Sequence, residues 1–282
     1  MDRACRVGKL TIGTGQPLAI IGGPCVLESH ELGLGIARRL ADACRSLGLS
    51  YIFKASFDKA NRSSIASPRG PGLEAGLAQI VEIGRALNIP TTTDIHDPAQ
   101  ADIAARSVDL LQIPAFLCRQ TDLLVAAGRA AASHGRAVNV KKGQFLSPDE
   151  MLGPVRKLTD AGCREIMLTE RGTFFGYHRL VNDFIGVGDL MSLSRQGGGG
   201  MPVCFDCTHS TQQPGTGEQT GGRPERAPLL ARAAVAAGVD AVFLECHPDP
   251  ARAASDASTM LRLEDVPALL TDLAAIRRAL IQ

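Results

Sequence analysis

The chain's capacity for chemistry concentrates first between Tyr51 and Ser64. Tyr51-Ile-Phe53 reads as a short buried strand, and Lys54, Ser56, Lys59, Asn61, Arg62 and Ser63 follow in quick succession. Ammonium groups, a guanidinium and several hydroxyl or amide donors in one loop make a site for a polyanion. Arginine offers phosphate a planar fork, and lysine a movable point charge. A solvated basic loop is the ordinary alternative. The order argues against it: Lys54 sits directly where an apolar run should end, and the segment mixes charge with small residues.

A second constellation is spread along the chain. Cys25, His209, Glu245 and Asp256 offer a thiolate, an imidazole and two carboxylates. That is a mixed-softness donor set for one divalent metal ion, Zn²⁺, Fe²⁺ or Mn²⁺. Spacing alone leaves alternatives open. Cysteine is commonly a small buried hydrophobe, as Cys25 would then be. His209, in Asp206-Cys-Thr-His209, has structural hydrogen bonding as its plain role, and His247 is a competing ligand close to Glu245. Cys204-Phe-Asp-Cys207 has paired spacing but no second pair beside it. It lies in a strand-like run, where positions three apart face opposite sides, so Cys204 reads as core.

These residues need elements to bring them together. Short apolar runs predict strands at Leu18–Gly22, Tyr51–Phe53, Thr91–Thr93, Leu110–Ile113, Ala137–Val140, Ile166–Thr169, Val203–Phe205 and Ala241–Leu244. Longer segments of helical period predict helices at His30–Leu47, Gly72–Leu87, Pro98–Arg106, Gln120–Ser133, Asp149–Ala161, Ala227–Ala237 and Val266–Ile281. Such alternation argues a parallel sheet, and about eight units predict a closed (β/α)8 TIM barrel of the α/β class. The competing architecture is an open doubly wound sheet, but Ile21-Gly-Gly-Pro-Cys25 is not its glycine fingerprint. The barrel also explains a regularity. Cys25, Lys54, Asp94, Gln112, Lys141, Arg171, Asp206 with His209, and Glu245 each fall at or near a strand's C-terminal end, where barrel sites lie.

The 282 residues read as one barrel domain, 1–282, with residues 1–16 an N-terminal extension whose hairpin closes the barrel bottom. Ser194–Gly200 precedes a strand and should lie on the non-catalytic face. Gln212–Pro224 follows the seventh strand and reads as an active-site lid. Hydrophobic residues make up 45%, enough for a sizeable core, and the net charge is +1, so anion binding must be local. No global field recruits nucleic acid or membrane, and no apolar run is long enough to span a bilayer. The 8 cysteines suit free thiols or ligands, and the absence of an apolar signal core makes a cytoplasmic protein the expectation.

The motifs together carry a resemblance. Gly23-Pro-Cys-Val-Leu-Glu-Ser29, the Phe53–Ser64 segment, Thr93-Asp-Ile-His96, Gln112-Ile-Pro-Ala-Phe116 with Arg119-Gln-Thr-Asp122, and Asn139-Val-Lys-Lys-Gly-Gln-Phe145 are part of it. Thr169-Glu-Arg-Gly172 with Phe175-Gly-Tyr177, Phe205-Asp-Cys-Thr-His-Ser210, Glu245-Cys-His-Pro-Asp-Pro250 and Ser255-Asp-Ala-Ser-Thr259 complete it. Across nearly its whole length the chain resembles the 3-deoxy-D-manno-octulosonate-8-phosphate synthases. The resemblance implies a (β/α)8 barrel, usually a homotetramer. It implies condensation of phosphoenolpyruvate with arabinose 5-phosphate and water, in lipopolysaccharide inner-core biosynthesis. Cys25 places the chain with the metal-dependent class, and Asp256 agrees.

Roles implied by the resemblance can be assigned residue by residue. Lys54, Ser56, Lys59, Gln112, Lys141 and Arg171 should hold phosphoenolpyruvate. Asn61, Arg62 and Ser63 should hold arabinose 5-phosphate, with Arg119 reaching its phosphate from a neighbouring subunit. Asp94 would contact sugar hydroxyls or assist proton movement. Lys54, Asp94, His209 and Asp256 form the implied catalytic set, and Cys25, His209, Glu245 and Asp256 the implied metal set. The closest rival is a heptulosonate-7-phosphate synthase using erythrose 4-phosphate. Its loop typically carries Lys-Pro-Arg-Thr where this chain has Lys59-Ala-Asn-Arg-Ser63. A sialic acid synthase, a zinc-dependent aldolase and a non-catalytic phosphosugar-binding barrel are further alternatives. The non-catalytic barrel should have lost some of these residues.

Overall fold

In the structure, a computed structural model, residues 2–60, 69–195, 198–214 and 220–281 are described. Eight parallel strands close into a barrel: β1 (Ala19–Gly23), β2 (Ser50–Lys54), β3 (Thr91–Asp94), β4 (Leu110–Ile113), β5 (Ala137–Lys141), β6 (Ile166–Glu170), β7 (Val203–Asp206) and β8 (Ala241–His247). Each pairs with its sequence neighbour, and β8 pairs with both β7 and β1, which closes the ring. In that closing pair Glu245 stands opposite Gly23. A Cβ on Gly23 would sit 2.0 Å from the Lys54 carbonyl oxygen, so only glycine lets β1 lie this close to β2 at the mouth.

Helices α1 (His30–Leu47), α2 (Leu73–Leu87), α3 (Gln100–Ser107), α4 (Thr121–His134), α5 (Leu152–Asp160), α6 (Phe184–Ser192), α7 (Ala227–Ala237) and α8 (Val266–Ile281) alternate with the strands. The main apolar cluster lies between strands and helices, with Ile20, Phe53, Leu111, Val138, Leu168, Phe205 and Leu244 among its strand members. Two ends show why α1 spans these residues. The Ser29 side chain accepts from Leu32 N, and Gly48 terminates the helix at φ 70°.

Helix α6 is absent from the sequence reading. Its segment contains Gly186 and Gly188, both poor helix formers, which blur the helical period. The Asp183 side chain accepts from Ile185 N and starts the helix. A Cβ on Gly186 would lie 3.0 Å from the Asp183 carboxylate, so glycine keeps that cap uncrowded. The segment predicted as Asp149–Ala161 is split, with a 3-10 turn at Asp149–Met151 preceding α5.

The N-terminal hairpin pairs Ala4–Val7 with Leu10–Gly13. Cys5, Val7 and Ile12 pack into the barrel's interior floor with Ala19, Ile21, Ile52, Leu110, Ala137, Met167, Cys204, Ala241 and Phe243. The hairpin therefore plugs the N-terminal mouth. Arg3 clamps it there by a bidentate ion pair with fully buried Asp240, at 2.7 and 3.0 Å. The described part of the Ser194–Gly200 segment lies on this face too: Gly200 forms isolated bridges with Arg3 and Ser194. Cys204 belongs to the interior floor and Cys207 to the outer cluster, so the paired cysteines do face opposite ways.

Candidate active site and metal centre

Strand alternation creates the site. In each barrel strand every second residue points inward, and the inward set turns from apolar to polar toward the C-terminal end. Ala137, Asn139 and Lys141 on β5 illustrate it: Ala137 belongs to the floor, and Lys141 reaches the mouth. Lys54, Ser56, Asp94, Gln112, Lys141, Arg171, Asp206 and Glu245 are all buried there.

Charges of opposite sign alternate around this mouth. Lys54 Nζ lies 2.7 Å from Glu245 Oε1 and 3.4 Å from Asp94 Oδ2, and donates to the Cys25 carbonyl at 3.1 Å. Burial disfavours the Lys54 ammonium, but Glu245 and Asp94 outweigh it and raise its proton affinity. Burial likewise pushes the Asp94 carboxyl up, while Lys54, Lys59 and Lys141 together hold it well below the ordinary carboxylate range. Lys141 Nζ contacts Asp206 Oδ2 at 2.7 Å and stands 3.6 Å from the Phe243 ring centroid. Arg171 is different. One of its terminal nitrogens meets Gln212 Oε1 and the other is buried without a partner. Burial lowers its proton affinity beyond what Asp206, Asp256 and Glu170 restore. A guanidinium in that state has a donor and a charge to offer an anion.

The thiol of Cys25 and the carboxylates of Glu245 and Asp256 bring ligand atoms within 4.8 Å of one another. His209 Nε2 is 3.6 Å from Glu245 Oε2, which is itself buried with no hydrogen-bond partner. Cys25 Sγ donates to Asp256 Oδ2 at 2.9 Å, and Lys59 Nζ lies 3.8 Å from that oxygen. Burial, then Asp256 and Glu245, push the Cys25 thiol up. Asp256 has φ 50°, the left-handed conformation, which Asp tolerates better than most residues. A thiol and two carboxylates converge within reach of one dication, and the His209 imidazole stands beside Glu245. His247 stands apart: its Nδ1 accepts from Asp249 N, and its Nε2 lies 3.5 Å from Glu28.

From Asp94 a chain of side-chain hydrogen bonds links four neighbouring strands, β3 to β6. Gln112 Nε2 donates to Asp94 Oδ1 at 2.7 Å, Asn139 Nδ2 to Gln112 Oε1 at 3.0 Å, and Thr169 Oγ1 to Asn139 Oδ1 at 2.7 Å. Ser56 closes it by donating to Asp94 Oδ2.

The sequence-derived candidates divide accordingly. Lys54, Ser56, Lys59, Asp94, Gln112, Lys141, Arg171, Cys25, His209, Glu245 and Asp256 converge on one mouth. Glu245 does not end its strand, which runs on to His247. Arg119 is exposed in the segment after β4, near Glu150. Asn61, Arg62 and Ser63 lie outside the described residues. In the lid candidate, Gln212–Gln213 pairs with Gly221–Gly222 as a short antiparallel ladder, and residues 215–219 lie outside the description. Asn139, Thr169 and Glu170 were missed. Glu170 Oε1 accepts from the backbone N–H of Arg171 and of Gly172, which fixes the start of the Arg171 loop. A polar residue at an inward strand position was the available signal for Asn139 and Thr169.

The chain is similar to known proteins over nearly its whole length. A 2-dehydro-3-deoxyphosphooctonate aldolase from Cyanothece sp. is 52% identical over 272 residues, covering 96% of each chain. Proteins of the same name from Desulfotalea psychrophila and Geobacter sp. are 49% and 48% identical. These alignments cover 96% and 98% of this chain, and 93% and 98% of theirs. The model of the DAHP synthetase I family matches residues 3–279, and the chain belongs to that family.

Proposed function

We propose that the protein condenses phosphoenolpyruvate with D-arabinose 5-phosphate and water. The products are 3-deoxy-D-manno-octulosonate 8-phosphate and inorganic phosphate, which serve lipopolysaccharide inner-core synthesis. The observation that carries the reading is one barrel mouth combining buried anion-binding donors, Lys54, Lys141 and the part-unpaired Arg171, with a thiol and two carboxylates beside which His209 lies. The relatives' shared name supports the same reaction.

Carbon 3 of phosphoenolpyruvate bonds to the aldehyde carbon of the sugar, water adds to carbon 2, and phosphate leaves with its bridging oxygen by C–O cleavage. No phosphoryl group is transferred to an acceptor. Lys54, Lys59, Lys141 and Arg171 neutralise carboxylate and phosphate, and their buried contacts hold them in place during the reaction. Asp94, with both oxygens accepting hydrogen bonds, is a fixed anion suited to sugar hydroxyls. Cys25, His209, Glu245 and Asp256 would hold a divalent cation. Bound there, it supplies Lewis-acid polarisation and orients water or sugar hydroxyls. Asn61, Arg62 and Ser63 are assigned to the sugar phosphate on sequence alone.

The proposed assembly is a homotetramer in which Arg119 serves a neighbour's site. Phe116, Phe145, Phe175, Tyr177 and Ile185 support it, standing 45–96% exposed in the segments after β4, β5 and β6. The proposed compartment is the cytoplasm, which suits eight free, buried thiols.

The test is phosphate release from phosphoenolpyruvate with arabinose 5-phosphate, before and after chelation and with Mn²⁺ or Zn²⁺ restored. Activity lost to chelator and regained with metal supports reaction and metal together. Activity indifferent to chelator keeps the reaction and removes the essential metal. Turnover with erythrose 4-phosphate in place of arabinose 5-phosphate would overturn the assignment of the sugar.

A further inference from the structure

We propose that Asp206 is a positioning residue: it holds the Lys141 ammonium and the His209 imidazole on one carboxylate oxygen, so both binding functions depend on the same buried charge. This rests on the reading above that Lys141 meets phosphoenolpyruvate and His209 a divalent cation.

Asp206 is fully buried, and its two oxygens do different work. Oδ1 is held by its own loop, accepting from Thr208 N at 3.2 Å, Thr208 Oγ1 at 3.1 Å and His209 N at 2.9 Å. These bonds fix the carboxylate plane. Oδ2 then faces the mouth and takes both Lys141 Nζ and His209 Nδ1, each at 2.7 Å. An ionised carboxylate only accepts, so Nδ1 carries the imidazole proton and a neutral ring presents its lone pair on Nε2. That nitrogen is the one 3.6 Å from Glu245 Oε2. The tautomer able to ligate is therefore set by Asp206. The Phe243 ring sits beside both clients, 3.6 Å from Lys141 Nζ and 5.9 Å centroid to centroid from His209. The ring face also attracts the ammonium, so Asp206 supplies the ion pair of Lys141 and Phe243 a cation–π contact.

The experiment is Asp206→Asn with two binding constants measured apart from turnover. Zn²⁺ affinity is read by competition with a fluorescent chelator, and phosphoenolpyruvate affinity by calorimetry on the Zn²⁺-loaded protein. Loss of an outer partner of a ligating histidine weakens metal affinity about 10- to 100-fold. We expect that loss for Zn²⁺, with phosphoenolpyruvate weakened in the same variant by about tenfold as its lysine loses a charge-assisted partner. Either constant staying within about twofold of the parent overturns the shared-anchor reading. The ¹⁵N spectrum of the parent protein's His209, with and without Zn²⁺, tests it without any variant: a proton on Nδ1 is expected, and a proton on Nε2 overturns it. Failure of the parent itself to bind phosphoenolpyruvate would sink the functional reading. Binding by the parent that Asp206→Asn leaves untouched sinks this inference alone.

Discussion

Asn139→Leu is the most informative single change in the barrel interior. The asparagine is fully buried and shares leucine's branching at Cγ, so the substitution removes its polarity while adding some bulk. It leaves two groups stranded: Gln112 Oε1 loses its 3.0 Å donor, and the Thr169 hydroxyl loses its 2.7 Å acceptor. Each buried orphan costs about 1–3 kcal/mol, so the variant should lose about 2–5 kcal/mol after some gain from the apolar side chain. Thr169→Val alone strands only Asn139 Oδ1 and should cost about 1–3 kcal/mol. In the leucine background, however, the same valine removes an orphan hydroxyl. The double variant should then be no less stable than Asn139→Leu, a strongly non-additive cycle. Urea unfolding of the four proteins measures it. Simple additivity, or a loss below about 0.5 kcal/mol for Asn139→Leu, would refute a continuous hydrogen-bond chain. Because the chain ends on Asp94, we also expect kcat/KM for the sugar phosphate to fall about 10- to 100-fold, as misplacement of a site group does.

Other expectations concern the floor, the metal set and pH. Arg3→Met strips fully buried Asp240 of a bidentate partner and should cost about 3–5 kcal/mol in chemical unfolding; a loss under 1 kcal/mol would mean that the hairpin is not clamped by this pair. Cys25→Asn should weaken Mn²⁺ or Zn²⁺ binding in chelator titrations while keeping some turnover, and full metal affinity would remove Cys25 from the ligands. The folded-state pKa of Asp94 lies below its unfolded value of about 3.9, so its contribution is complete above that value and fades as pH falls through it. Unfolding free energy should therefore drop as pH falls below about 4, less steeply in Asp94→Asn; identical slopes in the two proteins would contradict the depressed carboxylate.

The barrel was legible because strands buried on both faces read as continuous apolar runs, bounded by glycine and charge. The eight runs fell within a residue or two of the observed strands, apart from β8, which extends to His247. Helix α6 was not legible, since Gly186 and Gly188 dilute the helical signal and its start depends on one cap at Asp183. The strand-end residues of the site were legible for a simple reason. A charged residue directly after a strand-like run has few structural reasons to be there, and Lys54, Asp94, Lys141, Asp206 and Glu245 recurring in phase have fewer.

What sequence could not supply was register. Asn139 and Thr169 each look like an ordinary polar position within an apolar strand. Their meaning comes from the pairing that sets Gln112 beside Asn139 on one side and Asp94 on the other. Asp206 is a parallel case. Its neighbours in sequence, Thr208 and His209, explain why the carboxylate is held, but its second client, Lys141, comes from β5, two strands away around the ring. Inward alternation tells which residues enter the barrel, strand by strand. Closure decides at what height they meet, and only that height separates a lysine free to swing toward any anion from one fixed 2.7 Å from a shared carboxylate. The residues that bind were therefore visible in one dimension, whereas those that aim them become visible only once the ring has closed.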